Sequence, residues 1–451
     1  MAPWGNGNYP TDICVYARCA EWMNQGLVMY RDMFDHKGPL VYLIYWGASF
    51  CGEYGIWMLD IAILWLSLYI LYRMARLHLE SGHALLLTFM MACFIQLPFT
   101  DEGGPEWIAM PGCIYSCYLL AKRIKDNDYC SLLDITLFSG SVAVCLATKP
   151  NTSACMIPVA IYIVWHLCRN FEWRIAGRYM IGVILGLGII CLPIAFWLTQ
   201  QGNWADFVDA YWRFNTASYG PMTMTKKVMG VFTVTLICLV PFYSYILYSV
   251  FTNKRTWSYA FITALFVFTL FLNAYIKNCY PHYIFPCVGV FALVLLLTWP
   301  YIAQRKALFG WTIGLYILVG IGSFGARAYL RLSPFDTSKD RLTAQYINAQ
   351  TDENEYVMVC DVDDRSRWSS MNPSYSFVYR LWLLLNNKPA SPYFYLPPSI
   401  SPEMRLKSWE MIKNRAPEWV VCTDDHKAEF LNLGYIQDKD LQNDFYILKK
   451  P

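Results

Sequence analysis

The sequence predicts an all-α polytopic transmembrane helical bundle with extracytoplasmic interfacial helices and a small C-terminal α/β domain. Three observations carry this expectation. The 451-residue chain is 56% hydrophobic and 17% aromatic but only 15% charged, well below the quarter or so typical of soluble domains. Apolar stretches long enough to cross a hydrocarbon core of about 30 Å recur between residues 55 and 327. Residues 328–451 then carry charges throughout, with no run long enough to span.

Residues 1–54 come first and alternate polar with aromatic side chains. Within them, 12–25 and 39–51 read as short amphipathic helices whose Tyr16, Trp22, Tyr42, Tyr45 and Trp46 suit the membrane interface. Ten spans are expected next, near 55–77, 84–100, 106–121, 130–148, 152–168, 177–199, 226–250, 257–276, 281–300 and 308–327, since lipid tolerates no unpaired backbone groups. The stretch 200–225, with Trp204, Phe207, Tyr211, Trp212 and Phe214, has an interfacial character and would roof a lipid-accessible cavity. In the tail, 356–360, 419–422 and 445–448 read as strands and 339–350, 374–387 and 402–415 as helices. The expected domains are therefore 1–54, 55–327 and 328–451. The extended aromatic loop at 391–398 has no role legible in the sequence.

Loop charges set the orientation. Arg73 and Arg76, Lys122, Arg123 and Lys125, Arg169, Arg174 and Arg178, Lys254 and Arg255, and Arg305 and Lys306 fall in alternate loops. Cytoplasmic loops collect such cations, so the other set of loops and both ends lie outside. An outside first segment without a signal peptide leads us to expect a further helix preceding Trp4, giving eleven in all.

A net charge of +3 says little about partners in a membrane protein, and no polybasic tract suggests nucleic acid. Most of the 16 cysteines sit in apolar runs as small hydrophobes. Cys14 with Cys19 and Cys360 with Cys422 are the candidate disulfides, and neither spacing matches a metal site.

The stretch from Tyr30 to Tyr42 is the most informative. It places Arg31, Asp32, Asp35, His36 and Lys37 directly before an apolar interfacial helix, where each charge is costly without a partner or ligand. Solvated headgroup-level ions are the bland reading of the same residues. Asp12 opens the first amphipathic segment, as a cap or as a functional carboxylate. Glu106 follows Gly103-Gly104-Pro105 and opens a span, where the helix dipole alone would favour an acid. Asp60 and Asp134 fall inside expected spans, Asp134 one turn from a cytoplasmic end. Lys149-Pro150-Asn151 breaks the chain at an outer helix end, where a cation would meet a phosphate. His282 lies at another outer boundary.

The order of these features resembles the C-type multi-spanning membrane glycosyltransferases, especially the branch of protein O-mannosyltransferases and the lipid A aminoarabinose transferase. In that family an acid begins the first external loop and a Lys-Pro-Pro-Leu-like motif follows some 25 residues later. Asp12 and Lys37-Gly38-Pro39-Leu40 match these. Gly26 to Asp35, the acidic second loop with Glu102 and Glu106, Lys149-Pro150-Asn151 and the Tyr-rich His282 site are similar to the family as well. The resemblance covers residues 9–300. Ile13 stands where many members carry a second acid, which bears on any two-carboxylate metal site, and Gly38 replaces the first proline of the motif. The first helix of the family is absent.

The resemblance implies a transferase that takes a sugar from a polyprenyl-phosphate donor and transfers it with inversion to an extracytoplasmic glycan, lipid or protein. It implies Asp12 as general base, Lys37, Arg31, Lys149 and His282 as donor-phosphate ligands, and Asp35, His36, Glu102 and Glu106 as substrate-binding residues. It implies no nucleotide cofactor, leaves a divalent metal unsupported, and points to a bacterial plasma membrane. A lipid-linked glycan flippase or transporter, an O-antigen polymerase or ligase, and a non-catalytic subunit are the rival readings. No internal repeat of hydrophobic segments favours the transporter, and 200–225 has only Arg213 where polymerases and ligases place key arginines.

Overall fold

The computed structural model describes residues 11–96, 103–126, 129–169, 171–217, 281–332, 338–359, 381–394, 402–422, 424–438 and 446–451. Helix α1, Thr11–Asn24, and helix α2, Pro39–Ser49, are the two short helices expected before the bundle. Pro39 takes the first turn of α2, where its missing N–H costs nothing. The bundle follows as α3 (Gly55–Arg76), α4 (Ser81–Ile95), α5 (Pro105–Asp126), α6 (Leu132–Thr148), α7 (Ile157–Arg169) and α8 (Trp173–Gln201). After 204–217, which runs helically through a π turn at Val208–Arg213, come α9 (Val288–Ala303) and α10 (Lys306–Leu332). The spans expected at 226–250 and 257–276 lie outside the described residues.

Five described segments are long and apolar enough to cross a membrane: Gly55–Arg76, Pro150–Arg169, Trp173–Gln201, His282–Ala303 and Lys306–Ala326. Their burial separates centre from rim. The 282–303 segment is 89% buried along its apolar window, whereas the 55–76, 173–201 and 306–326 segments are 28%, 22% and 22% buried. Trp65, Leu192 and Phe324 on those rim helices point outward, as a lipid-facing surface requires. Helix α5 is central too, with Trp107, Met110, Cys113, Ile114 and Cys117 buried. Helices α6 and α8 pack with their backbones close together. A Cβ at Gly186 would collide with Ser139 Oγ and the Thr136 carbonyl, and Ser139 Oγ donates to Gly182 O at 3.1 Å. Without a hydrophobic drive in lipid, small residues that admit close backbone contact join such helices.

Asp134 lies within a turn of a helix end, as expected. It sits in the first turn of α6, where it forms a capping box with Ser131 and an ion pair with Lys122 at 3.0 Å. Its role there is to satisfy a helix end. Asp60 is buried in α3, within electrostatic reach of Tyr45. Cys19 is a free buried thiol, so the pairing of Cys14 with Cys19 is not made.

The C-terminal part is a small α/β unit. Its sheet has the order β2-β1-β3-β5-β4, from Lys388–Pro389, Tyr356–Val359, Trp419–Cys422, Tyr446–Lys449 and Ile436–Gln437. The first three strands are parallel and β5 joins β3 and β4 antiparallel. Helices α11 (Ser338–Asn348), α12 (Pro402–Arg415) and α13 (Asp424–Asn432) accompany it. The sequence did not reveal α13, nor β2 and β4, whose two residues each carry no alternation to read.

This unit is bound to α1. Asn387 O accepts from Trp22 Nε1 at 2.9 Å and from Arg18 Nη2 at 3.0 Å. The Trp22 indole meets Trp382 and Phe394 edge-on, at centroid distances of 5.3 and 4.8 Å. Pro392 O accepts from Phe34 N at 2.7 Å, and Tyr393 lies against the Phe34 ring at 5.1 Å. The aromatic loop therefore clasps the segment that carries Asp35.

Candidate functional site

Lys149 is carried out of α6 by its neighbour. A residue before proline is forced into extended backbone, and Lys149, before Pro150, has φ −158° and ψ 109°. The helix ends there, and the turn that follows is closed by Thr152, whose N–H and Oγ1 both donate to Lys149 O, at 3.0 and 2.7 Å. The freed ammonium donates to Glu106 Oε1 at 2.5 Å and to Tyr283 Oη at 3.1 Å. Glu106 sits in the first turn of α5, on the dipole's positive end. His282 Nε2 is 3.7 Å from the same carboxylate oxygen. The start of α5, the end of α6 and the Pro281–Cys287 turn leading into α9 thus meet at one end of the bundle.

The loop of residues 25–38 brings a second cation there, and its backbone is pinned at several points. Tyr30 adopts the left-handed region at φ 70°, a conformation costing a bulky residue about 1–2 kcal/mol. It is held by Tyr30 N donating to Met33 O at 2.9 Å and Tyr30 Oη donating to Lys37 O at 2.9 Å. Asp32 Oδ2 accepts from Val28 N, and Asn203 Nδ2 donates to Met29 O, both at 2.8 Å. Asp35, buried to 1% exposure, accepts from Tyr42 Oη at 2.5 Å and from His36 N at 2.6 Å. Lys37 Nζ lies 2.8 Å from His36 Nε2. Burial, and then the Lys37 charge, push the His36 imidazole below its ordinary value.

One backbone contact joins the two lysine-bearing segments. Gly38 N donates to Thr148 O at 2.8 Å, and a Cβ at Gly38 would collide with the Ala147 carbonyl. The glycine in place of the motif's first proline is thereby explained: proline has no N–H to donate and no room for its ring. Lys37 and Lys149 each lie one residue from this bond, and Lys149 acts electrostatically on His36.

The other candidates are placed differently. Asp12, in the first turn of α1, accepts from Tyr16 Oη at 3.3 Å, and Tyr16 packs edge-on to Tyr42 and Tyr45. Tyr16 and Tyr42 link Asp12 by contact to Asp35. Arg31 is half exposed and pairs with Asp32 at 3.1 Å. Glu102 lies outside the described residues. Sequence reasoning missed the part played in the site by Tyr42, Tyr283, Gly38 and Asn215, whose Nδ2 donates to His36 O at 2.7 Å. Among the described residues no group of three or more His, Cys, Asp or Glu side chains is arranged to hold a metal ion.

No protein-family model matches the chain, and no curated protein matches it. Solved structures do. ArnT from Cupriavidus metallidurans bound to undecaprenyl phosphate superposes with a TM-score of 0.63 at 10% identity, covering 96% of this chain and 92% of that one. Its apo form gives 0.61 over the same shares at 10% identity. An oligosaccharyltransferase from Archaeoglobus fulgidus, tethered to an acceptor peptide, gives 0.50 at 11% identity, covering 99% of this chain and 71% of that one. At these identities the likeness is one of fold. The chain has the C-type glycosyltransferase fold, that of polytopic membrane proteins.

Proposed function

We propose that this protein is a membrane glycosyltransferase that moves a sugar from a polyprenyl-phosphate carrier to an acceptor hydroxyl on the extracytoplasmic side, with inversion. The observation that carries the reading is the convergence of Lys37 and Lys149 through the Gly38–Thr148 bond, at the end of the bundle opposite the cation-rich loops. The domains follow the same plan, with 1–54 as the site-bearing loop, 55–327 as the bundle and 328–451 as an external unit. The membrane is a bacterial plasma membrane in this reading.

Every described candidate residue has a part in such a reaction. The acceptor oxygen attacks the anomeric carbon, the bond from that carbon to the phosphate oxygen breaks, and its electron pair stays on the phosphate. Asp12 takes the acceptor proton, as a carboxylate within hydrogen-bond reach can. Negative charge grows on the departing phosphate, so cations fixed beside it stabilise the transition state more than the ground state. Lys37 and Lys149 supply that charge, with His282 beside Glu106 and Arg31 guiding the carrier. Glu106 holds Lys149 in place and, with Asp35 and His36, lines the sugar and acceptor side. The prenyl chain lies between helices, held by apolar burial.

The test is transfer from a panel of polyprenyl-phosphate sugars by purified protein in lipid, comparing the native chain with Asp12→Asn. Donor-dependent transfer that disappears in the variant supports both the reaction and the base. Binding or transbilayer movement of the lipid with no donor consumed by the native protein would replace the enzyme with a lipid transporter.

A further inference from the structure

The contacts of His36 define its protonation state. A lysine ammonium has three donors and no acceptor, so the 2.8 Å approach of Lys37 Nζ to His36 Nε2 is a hydrogen bond only while that nitrogen keeps its lone pair. The ring proton then belongs on Nδ1. That atom lies 3.2 Å from Asp35 Oδ1, which also accepts from His36 N at 2.6 Å. Tyr42 Oη fixes the other carboxylate oxygen at 2.5 Å. Asp35 therefore cannot turn away from the imidazole without giving up two short bonds.

We propose that Asp35 and His36 form a pH-gated positioning pair: neutral His36, protonated at Nδ1 beside Asp35, holds the Lys37 ammonium at the phosphate site, and protonated His36 releases it. The proposal rests on the reading of Lys37 as a phosphate-binding cation. Charged groups face the ring from two sides. Asp35 and Lys37 belong to its own loop, and Lys149, paired with Glu106 and neighboured by His282, comes from the end of α6. The 204–217 segment offers uncharged partners, the Phe214 ring at 5.5 Å and Asn215 on the His36 carbonyl. Two ammonium groups and burial oppose a charge on the ring, and one carboxylate favours it. Neutral His36 is the form at neutral pH. Acidification removes the acceptor for Lys37 and sets a like charge against it, so phosphate binding weakens below the ordinary histidine range near about 6.5.

The experiment uses the full chain in lipid nanodiscs and undecaprenyl methyl phosphate, a phosphodiester whose own charge does not change over the range. Its affinity is measured from neutral to acid pH for the native protein and for His36→Gln, His36→Phe and Lys37→Met, with thermal unfolding as the control for folding. The native protein is expected to lose about tenfold in affinity on acidification. His36→Gln, whose amide oxygen still accepts from Lys37 but does not titrate, is expected to show one affinity across the pH range, without the acid fall of the native protein. His36→Phe is expected to bind weakly at every pH. An acid fall in His36→Gln equal to the native one overturns the gate while leaving Lys37 as a ligand. Native affinity in Lys37→Met overturns the phosphate-site reading itself, and the gate with it.

Discussion

Gly38 N donates to Thr148 O at 2.8 Å, a bond between two segments that are far apart in sequence and that each deliver a lysine to the same end of the bundle. The glycine's dihedrals, φ −72° and ψ 156°, are open to any residue, so the requirement is for space and for a donor. Gly38→Ala is expected to lower stability by about 1–3 kcal/mol through overpacking against the Ala147 carbonyl. Gly38→Pro also loses the hydrogen bond and should be worse than alanine. Apparent melting temperature and donor turnover, measured together, check both; an alanine variant indistinguishable from native would contradict the contact.

Lys149 and Glu106 are side chains of 16% and 3% exposure joined at 2.5 Å. Removing one partner leaves an uncompensated charge, so Lys149→Ala is expected to cost about 3–5 kcal/mol. Glu106→Gln with Lys149→Gln should recover much of that stability while remaining inactive. A thermal melt of the native protein and the two variants decides whether the pair behaves as a unit.

Asp12→Asn is expected to reduce turnover by about 10²–10⁴-fold with an unchanged melting temperature. Tyr16→Phe, which removes only the 3.3 Å donor to Asp12, should have a smaller effect on rate.

Asp134 offers the opposite pattern. With its capping box and Lys122 as partners, Asp134→Ala is expected to cost about 0.5–2 kcal/mol and to leave the rate per folded molecule unchanged. A rate loss without a stability loss would restore it as a functional acid.

Trp22 is fully buried between α1 and the C-terminal unit. Trp22→Ala is expected to cost about 3–5 kcal/mol and to expose the 381–394 stretch to protease. Limited proteolysis of native and variant protein in lipid reads this directly.

The described spans, helices α1 and α2 and the tail helix at 402–415 are legible in the sequence because each depends on local pattern: apolar length, amphipathic period, cap and proline signals. Lys149-Pro150 announces a helix end because proline constrains its neighbour. That the lysine closes on Glu106, and that Gly38 bonds Thr148, is not legible. Such pairings arise from how helices pack, which no local window encodes. The same holds for Pro392 and Tyr393, whose partner Phe34 lies at the other end of the chain. Asp134 is legible only in part: its position in a span can be read to within a turn, but the capping geometry that satisfies it appears only in three dimensions.

The clasp of Asn387 and Pro392 on Trp22, Arg18 and Phe34 also has a bearing on biogenesis. Contacts of such sequence separation form slowly, after closure of a very long loop. A ribosome delivers the first of these residues long before the last, and domains generally fold in the order they are synthesised. The segment bearing Asp35 and Lys37 therefore spends the whole of membrane insertion without its brace. Competence would arrive late and all at once, when the C-terminal unit closes over the 25–38 loop, so that a half-inserted chain is denied the finished site.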